Sequence, residues 1–391
     1  MNAIGTTHDA DVIVVGASIA GTIASSLLAR SGLRVLVVDA AAEPRDKVCG
    51  EGLQPAGRRI LEEVIGPITS LAAPFTGFDF RMPNGARVAW GFPAGAEGVG
   101  IDRRALSDRM REHLGTVPNV RFLAGTTAVG LERCADHYSV GSSRAAFTAP
   151  IVIGADGAHS SIRRAASLEV GPPRGRWGAR RRYVLCGESP RKVRLDFLHK
   201  AEIYSTPLRD GRLSVALLGS EKWVRTLRDG EQFDAVLRRA GALPAGAVAE
   251  AEPAIYPHRA PRTIAMARDG VFLVGDAAQI LDPIAGCGMT LAVMSGTLVA
   301  SAVIARLAGD TSGAAERKYE RELRAVTSPY ASLTRFLRCI GCSATVRTIV
   351  PGLIRRFPAI SDRLARPVFQ MSPLIRVALS SPHLHPPLLA S

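Results

Sequence analysis

The stretch DVIVVGASIAG, Asp11 to Gly21, decides how this chain begins to fold. Asp11–Val15 is an apolar run of strand length, the pattern of a strand buried on both faces. Helical spacing follows over Ala20–Arg30 and stops at Gly32. RVLVVD, Arg34 to Asp39, is the next strand and completes a β-α-β unit. In the turn, Gly16 permits a tight bend and Gly21 lets the helix lie close to the strand. The first N–H groups of the helix stay free for an anion.

Two later stretches repeat this design: IVIGADGAHSSIR (Ile151–Arg163) and VFLVGDAAQILDPIAGCG (Val271–Gly288). Each is an apolar strand ending in a small-residue loop. In this order they predict a chain that returns to one sheet edge to hold a flavin dinucleotide, FAD. The first loop offers Gly16, Ser18, Ile19, Ala20 and Gly21 to the pyrophosphate, with Ser18 standing where a second glycine is usual. Asp39 is placed to accept a hydrogen bond from an adenosine ribose. In the third stretch, Gly275 and Asp276 end a strand beside the expected ribityl chain. Pro283 forces an extended turn at Asp282. Gly286 and Gly288 then let the backbone approach a flat ligand, and a helix starting near Gly288 and Met289 aims its positive end at the flavin N1–C2=O edge.

Composition bounds the rest. The chain has 391 residues, 47% of them apolar, enough for a large core and two domains. Its start lacks a basic region followed by an apolar run, and no stretch reads as a membrane span, so a cytoplasmic protein is expected. Six scattered cysteines show no disulfide framework and no ligand set for a metal. The net charge is +14, and residues 330–391 hold eight Arg, no Lys and one acid, Asp362. A second cluster holds Arg163, Arg164, Arg174, Arg176, Arg180, Arg181 and Arg182. Such patches suit an anionic surface, and the C-terminal segment is a candidate for peripheral membrane contact or for a cap over the substrate pocket. With 5% aromatic residues and no nucleic-acid motif, a nucleic-acid partner is not expected.

The set of stretches resembles the flavoprotein superfamily of para-hydroxybenzoate hydroxylase and geranylgeranyl reductase. The resemblance covers about residues 10–310. It implies that Asp156 and Gly157 serve FAD, that His159 and Arg163 help hold the pyrophosphate of NAD(P)H, and that Arg103, at a helix start, contacts the FAD phosphates. KVCGEGL (Lys47–Leu53) and DPIAGCG (Asp282–Gly288) resemble the geranylgeranyl-reductase branch and imply that Cys49 and Pro283 lie near the flavin. That branch's Tyr-x-Trp-x-Phe-Pro motif is missing; EIYSTPLRDGRLSVALL (Glu202–Leu218) stands there instead.

The expected fold is α/β (α+β, two-domain). A Rossmann-type FAD-binding domain takes residues 1–74, 100–175 and 265–330. An inserted antiparallel β-sheet substrate domain takes 75–99 and 176–264, and a basic, proline-broken helical segment takes 331–391. The expected activity is that of an FAD-dependent oxidoreductase using NAD(P)H. The leading expectation is a monooxygenase of an aromatic or lipophilic small molecule. The alternatives are a geranylgeranyl-reductase-like enzyme that reduces an isoprenoid double bond, and a flavin electron-transfer or membrane-docking protein. No general base stands out in 75–99 or 183–256.

Overall fold

The computed structural model describes residues 8–199, 201–342, 345, 346, 349, 352, 356 and 372–380. The β-α-β start forms as strand Val12–Val15, helix Ile19–Arg30 and strand Val35–Asp39. These strands join a six-stranded sheet ordered Ala267–Arg268, Val271–Leu273, Ile151–Gly154, Val12–Val15, Val35–Asp39, Val120–Ala124. All neighbours are parallel except the first pair. The three loop-bearing strands are therefore side by side, with Val15 opposite Gly154 and Gly154 opposite Leu273. Their loops leave one edge of the sheet, where ligands of open α/β sheets bind.

A second, eight-stranded sheet packs beside the first. Its centre is Glu169–Val184, Arg212–Gly219, Glu202–Pro207 and Val193–Phe197, adjacent in that order and antiparallel to one another. The expectation of an antiparallel sheet fails at one pair: Val193–Phe197 runs parallel to Gly77–Arg81. More than a hundred residues, including the nucleotide-domain stretch 100–175, separate these two strands, so no hairpin dictates their direction. Strand Glu169–Val184 and helix Ala314–Cys342 both run straight through expected domain boundaries, at 175 and at 330.

Alternation gives the second sheet two faces. One carries Ala179, Ile203, Leu213, Val215 and Leu217 beneath helices Glu221–Thr226 and Gly230–Arg239, which add Val224, Phe233 and Leu237. The other face carries Gly178, Leu218, Ala216, Tyr204, Thr206, Val193 and Phe78, and it looks onto the loops of the first sheet.

Helix Gly288–Leu307 has the length and hydropathy of a membrane-crossing helix, where no such segment was expected. Its apolar surface packs against Ile19–Arg30, Pro55–Ile65 and Ala314–Cys342. Burial inside the fold accounts for its composition. Most of the C-terminal segment considered for membrane contact, including Leu353, Ile354, Arg355, Phe357, Ile360, Arg363, Leu364 and Arg366, lies outside the described residues.

The second arginine cluster does not form a surface patch. Arg163 and Arg180 are buried, and Arg176, Arg181 and Arg182 are engaged by Glu202, Asp234, Asp46 and Glu51. Apolar neighbours on the same strands carry these stems inward, and carboxylates meet the heads.

Candidate active site

The loops and the second sheet enclose a cavity of about 780 Å³. Backbone geometry sets its floor. Gly16 has φ +110°, and a Cβ there would lie 2.4 Å from the Ala155 carbonyl oxygen. A Cβ on Gly21 would lie 1.9 Å from the Gly16 carbonyl oxygen. Both glycines thus work behind the cavity wall, fixing strand, loop and helix against one another. Ser18 is the N-cap of the first helix with no side-chain capping bond, so its first N–H groups face the cavity. Ser18, Ile19, Ala20, Cys49, Arg103, Asp156, Gly157, His159, Gly275, Asp276, Pro283, Gly286, Gly288 and Met289 all line this space.

At the third loop, Asp282 is extended (φ −57°, ψ 130°) and its carboxylate accepts from the Ile284 N–H. Gly286 is left-handed (φ +57°). Helix Gly288–Leu307 then starts with Cys287 as an uncapped N-cap. Its positive end faces the cavity at the place expected for the flavin edge.

Three lining side chains carry a buried polar atom with no partner among the described residues: Arg103 Nε, Asp156 Oδ1 and Gln54 Oε1. Buried polar atoms are rarely left so. Arg103 is 6% exposed, and its Nη2 reaches Ser18 Oγ at 3.4 Å. A guanidinium beside a free helix N-terminus suits a pyrophosphate. The other Asp156 oxygen accepts from Ser161 N and Ser161 Oγ, which leaves Oδ1 for a ligand hydroxyl. Asp39 accepts Ala17 N and Ala41 N, each at 2.7 Å, and keeps lone pairs for more donors. The donor and acceptor set fits FAD laid from the first loop to the third.

Arg163 is corrected. It is 1% exposed, and its guanidinium donates to Glu169, to the Ala277 carbonyl and to the Ala158 carbonyl. A group so enclosed ties the second loop to the third and does not reach a nicotinamide pyrophosphate. His159 is exposed at the cavity, with Arg45 also on its lining.

Glu51 gives the Lys47–Leu53 segment its shape. It is fully buried in a left-handed backbone (φ 58°), costly for a residue with a Cβ. Its carboxylate accepts from the Arg103 N–H and from Arg182, which also binds Asp46 and Asp102. Cys49 is thereby held at the cavity, where the Glu51 N–H meets its sulfur at 3.3 Å. Burial pushes the Cys49 thiol up, against a smaller opposing pull from Arg103, and pushes the Cys287 thiol to about 12. Both stay protonated at neutral pH. Lys47 points into the same cavity; burial, and then Arg103, lower its pKa.

The sheet wall holds groups that no motif announced. Tyr204 donates to the Ile284 carbonyl at 2.6 Å, and burial, then Glu202, raise its pKa. Tyr256 and His258 also line the cavity, their rings 5.4 Å apart and edge to face. They sit on a strand whose alternation is weak, so only the pairing register puts them on this face.

A family model for an FAD binding domain matches residues 9–332. The chain is 30% identical to a digeranylgeranylglycerophospholipid reductase of Methanothrix thermoacetophila, over 80% of this chain and 83% of that one. It is 25% identical to a mitochondrial squalene epoxidase of Arabidopsis thaliana, over 90% of this chain and 61% of that one. The fold matches that of p-nitrophenol 4-monooxygenase from Pseudomonas putida with a TM-score of 0.74 at 18% identity, over 96% and 98% of the two chains. The cavity's unpaired groups and these likenesses agree: the chain belongs to the FAD-binding-domain family of flavoproteins and is an FAD-dependent oxidoreductase.

Proposed function

We propose that this enzyme saturates a carbon–carbon double bond of an isoprenoid substrate, with NAD(P)H as the reductant. The observation that carries the reading is the sheet wall. Phe78, Val193, Ala216 and Leu218 present apolar surface, Phe75 adds to it from a separate three-stranded sheet, and the Tyr204 hydroxyl is already committed to a backbone carbonyl. A hydrocarbon chain fits against that apolar surface. The Lys47–Leu53 segment beside the cofactor site and the likeness to a lipid reductase over 80% of this chain and 83% of that one favour reduction over oxygenation.

Arg103 and Ser18 would hold the pyrophosphate, Asp156 a hydroxyl of the cofactor, Asp276 the ribityl chain, and Gly286–Met289 the ring edge. Bound there, FAD supplies the two-electron chemistry. The protein's own residues orient the ring, exclude water with the sheet wall, and present the substrate chain. His159 and Arg45 are the basic groups placed to meet the reducing nucleotide at the mouth. The net charge of +14 would bring the enzyme to an anionic membrane carrying its lipid. Sedimentation with anionic liposomes at low salt, lost at high salt, checks that contact.

The second reading, a monooxygenase of a lipophilic molecule, is favoured by the likeness to squalene epoxidase over nine-tenths of the chain. One experiment separates the two. The purified enzyme is reduced with dithionite without air and mixed with a geranylgeranyl lipid. Reoxidation of the flavin, with a product that has gained two hydrogens, supports saturation. A product formed only after air is admitted, with oxygen uptake, supports the monooxygenase.

A further inference from the structure

His258 is seated in the cavity wall by design of the strands around it. It lies on strand Ala254–Thr263, opposite Arg176 and two residues from Tyr256, which lies opposite Gly178. A Cβ on Gly178 would lie 2.8 Å from His258 Nε2 and 3.0 Å from Cδ2. A glycine inside a strand marks a close approach, and here the imidazole fills the space a side chain would take. Tyr256 packs edge to face on the ring. No described residue hydrogen-bonds either ring nitrogen, so both nitrogens are left to whatever occupies the cavity.

The groups facing the ring come from each element around it. Its own strand gives Tyr256, the strand Arg212–Gly219 gives apolar Leu218, and the loop after Leu273 gives Asp276 and Asp282. Arg176, on the neighbouring strand, is held by Glu202, Asp282 and the Leu218 carbonyl. Burial lowers the pKa of His258, against a smaller upward pull from the two aspartates. Its imidazolium is thus a stronger acid than that of a free histidine. The cavity's thiols hold their protons too tightly for this role, and the Tyr204 hydroxyl is spent on a carbonyl.

The geometry points to His258 as the catalytic acid that protonates the isoprenoid double bond. This rests on the reductive reading. Saturation adds one hydride and one proton, and the hydride belongs to the cofactor's chemistry. The imidazolium N–H bond breaks, and its proton forms a new C–H bond with the π pair of the alkene. The carbon left electron-poor accepts the hydride, so the alkene gains two electrons and two hydrogens. The neutral imidazole regains a proton from water at the mouth.

The test compares wild type, His258→Gln and His258→Phe, each loaded with FAD. Anaerobic single turnover follows flavin reoxidation by a geranylgeranyl lipid. Product made in D₂O is analysed for label. In wild type, the rate should fall as pH rises through the lowered pKa, and the product should carry solvent deuterium at both reduced carbons, because a flavin reduced by dithionite in D₂O also delivers solvent-derived hydrogen. Both variants should lose at least about a hundredfold in rate and lose that pH profile, while keeping the FAD content and absorbance of wild type. Carbon-13 NMR of histidine-labelled enzyme should show the His258 signal titrating below pH 6.5 and moving when a saturated isoprenoid binds. Variants that turn over at the wild-type rate, or a His258 signal unmoved by that ligand, overturn the assignment. A wild type that saturates no isoprenoid removes the reductive reading, and the assignment goes with it.

Discussion

Among single residues, Arg163 and Asp276 make opposite predictions from opposite surroundings. Arg163 is enclosed, with Glu169 as its carboxylate partner. Arg163→Ala should lower stability by about 3 kcal/mol, because the partner charge and two carbonyls lose their donors. Urea unfolding of the apoprotein measures that loss, and the Michaelis constant for the proposed reductant, NAD(P)H, should move little in whatever folds. Asp276 is exposed to the cavity at the Gly275–Ala277 turn. Asp276→Ala should leave apoprotein stability unchanged and weaken FAD about ten- to a hundredfold, the worth of hydrogen bonds to a charged acceptor. Titrating apoprotein with FAD checks this, and unaltered affinity would remove Asp276 from the site. A motif shows that an arginine follows a loop; it does not show that five residues of helix turn its side chain inward. For the same reason His258 and Tyr204 were invisible in the sequence. They stand on strands without a signature, and the register that aims them at the cavity is set by pairing with distant chain.

The elements that hold the site are the first helix and helix Gly288–Leu307, whose N-termini both face the cavity. They cross at Gly296, where a Cβ would lie 2.6 Å from the Ala20 carbonyl oxygen and 3.0 Å from Ile23 Cβ. Gly296→Val should drive them apart, costing about 1–3 kcal/mol in overpacking. The displacement falls on both N-termini at once. FAD should therefore be lost at lower denaturant than the secondary structure is. Coincident loss of flavin fluorescence quenching and of helical signal at the wild-type midpoint would contradict this. These elements were legible because their cause is local: apolar runs of strand length, helical spacing and glycine stops. Helix Arg103–Thr116 begins at Arg103 because Asp102 takes the N-cap, accepting from Arg104 N and Ala105 N. The parallel pairing of Gly77–Arg81 with Val193–Phe197 was not legible, because it depends on the whole nucleotide domain folding between them.

At the scale of the whole molecule, the three loop strands are neighbours in one sheet, so the site forms only when the fold is complete. Stability and cofactor retention should then share a pH dependence. One group gives that dependence a sign. His113, on helix Arg103–Thr116, meets Ser26 Oγ of the first helix at 3.0 Å. Burial, then Arg30 and Arg109, depress its pKa from 6.5 to about 4. Those arginines also reach the end of a third helix, at the Val64 and Ile65 carbonyls. Above pH 6.5 the imidazole is neutral in both the folded and the unfolded chain, and the packing is at full strength. Between 6.5 and about 4 the unfolded chain binds a proton that the folded one refuses, so stability falls with pH. Below about 4 both forms are protonated and this loss levels off. The depression corresponds to about 3 kcal/mol at most, and to roughly 2 kcal/mol once partial exposure is discounted. Melting curves of wild type and His113→Gln from pH 7.5 to 4.5 measure it. The two should diverge as the pH falls, with the variant showing the flatter profile. Parallel profiles would assign the acid sensitivity to other groups.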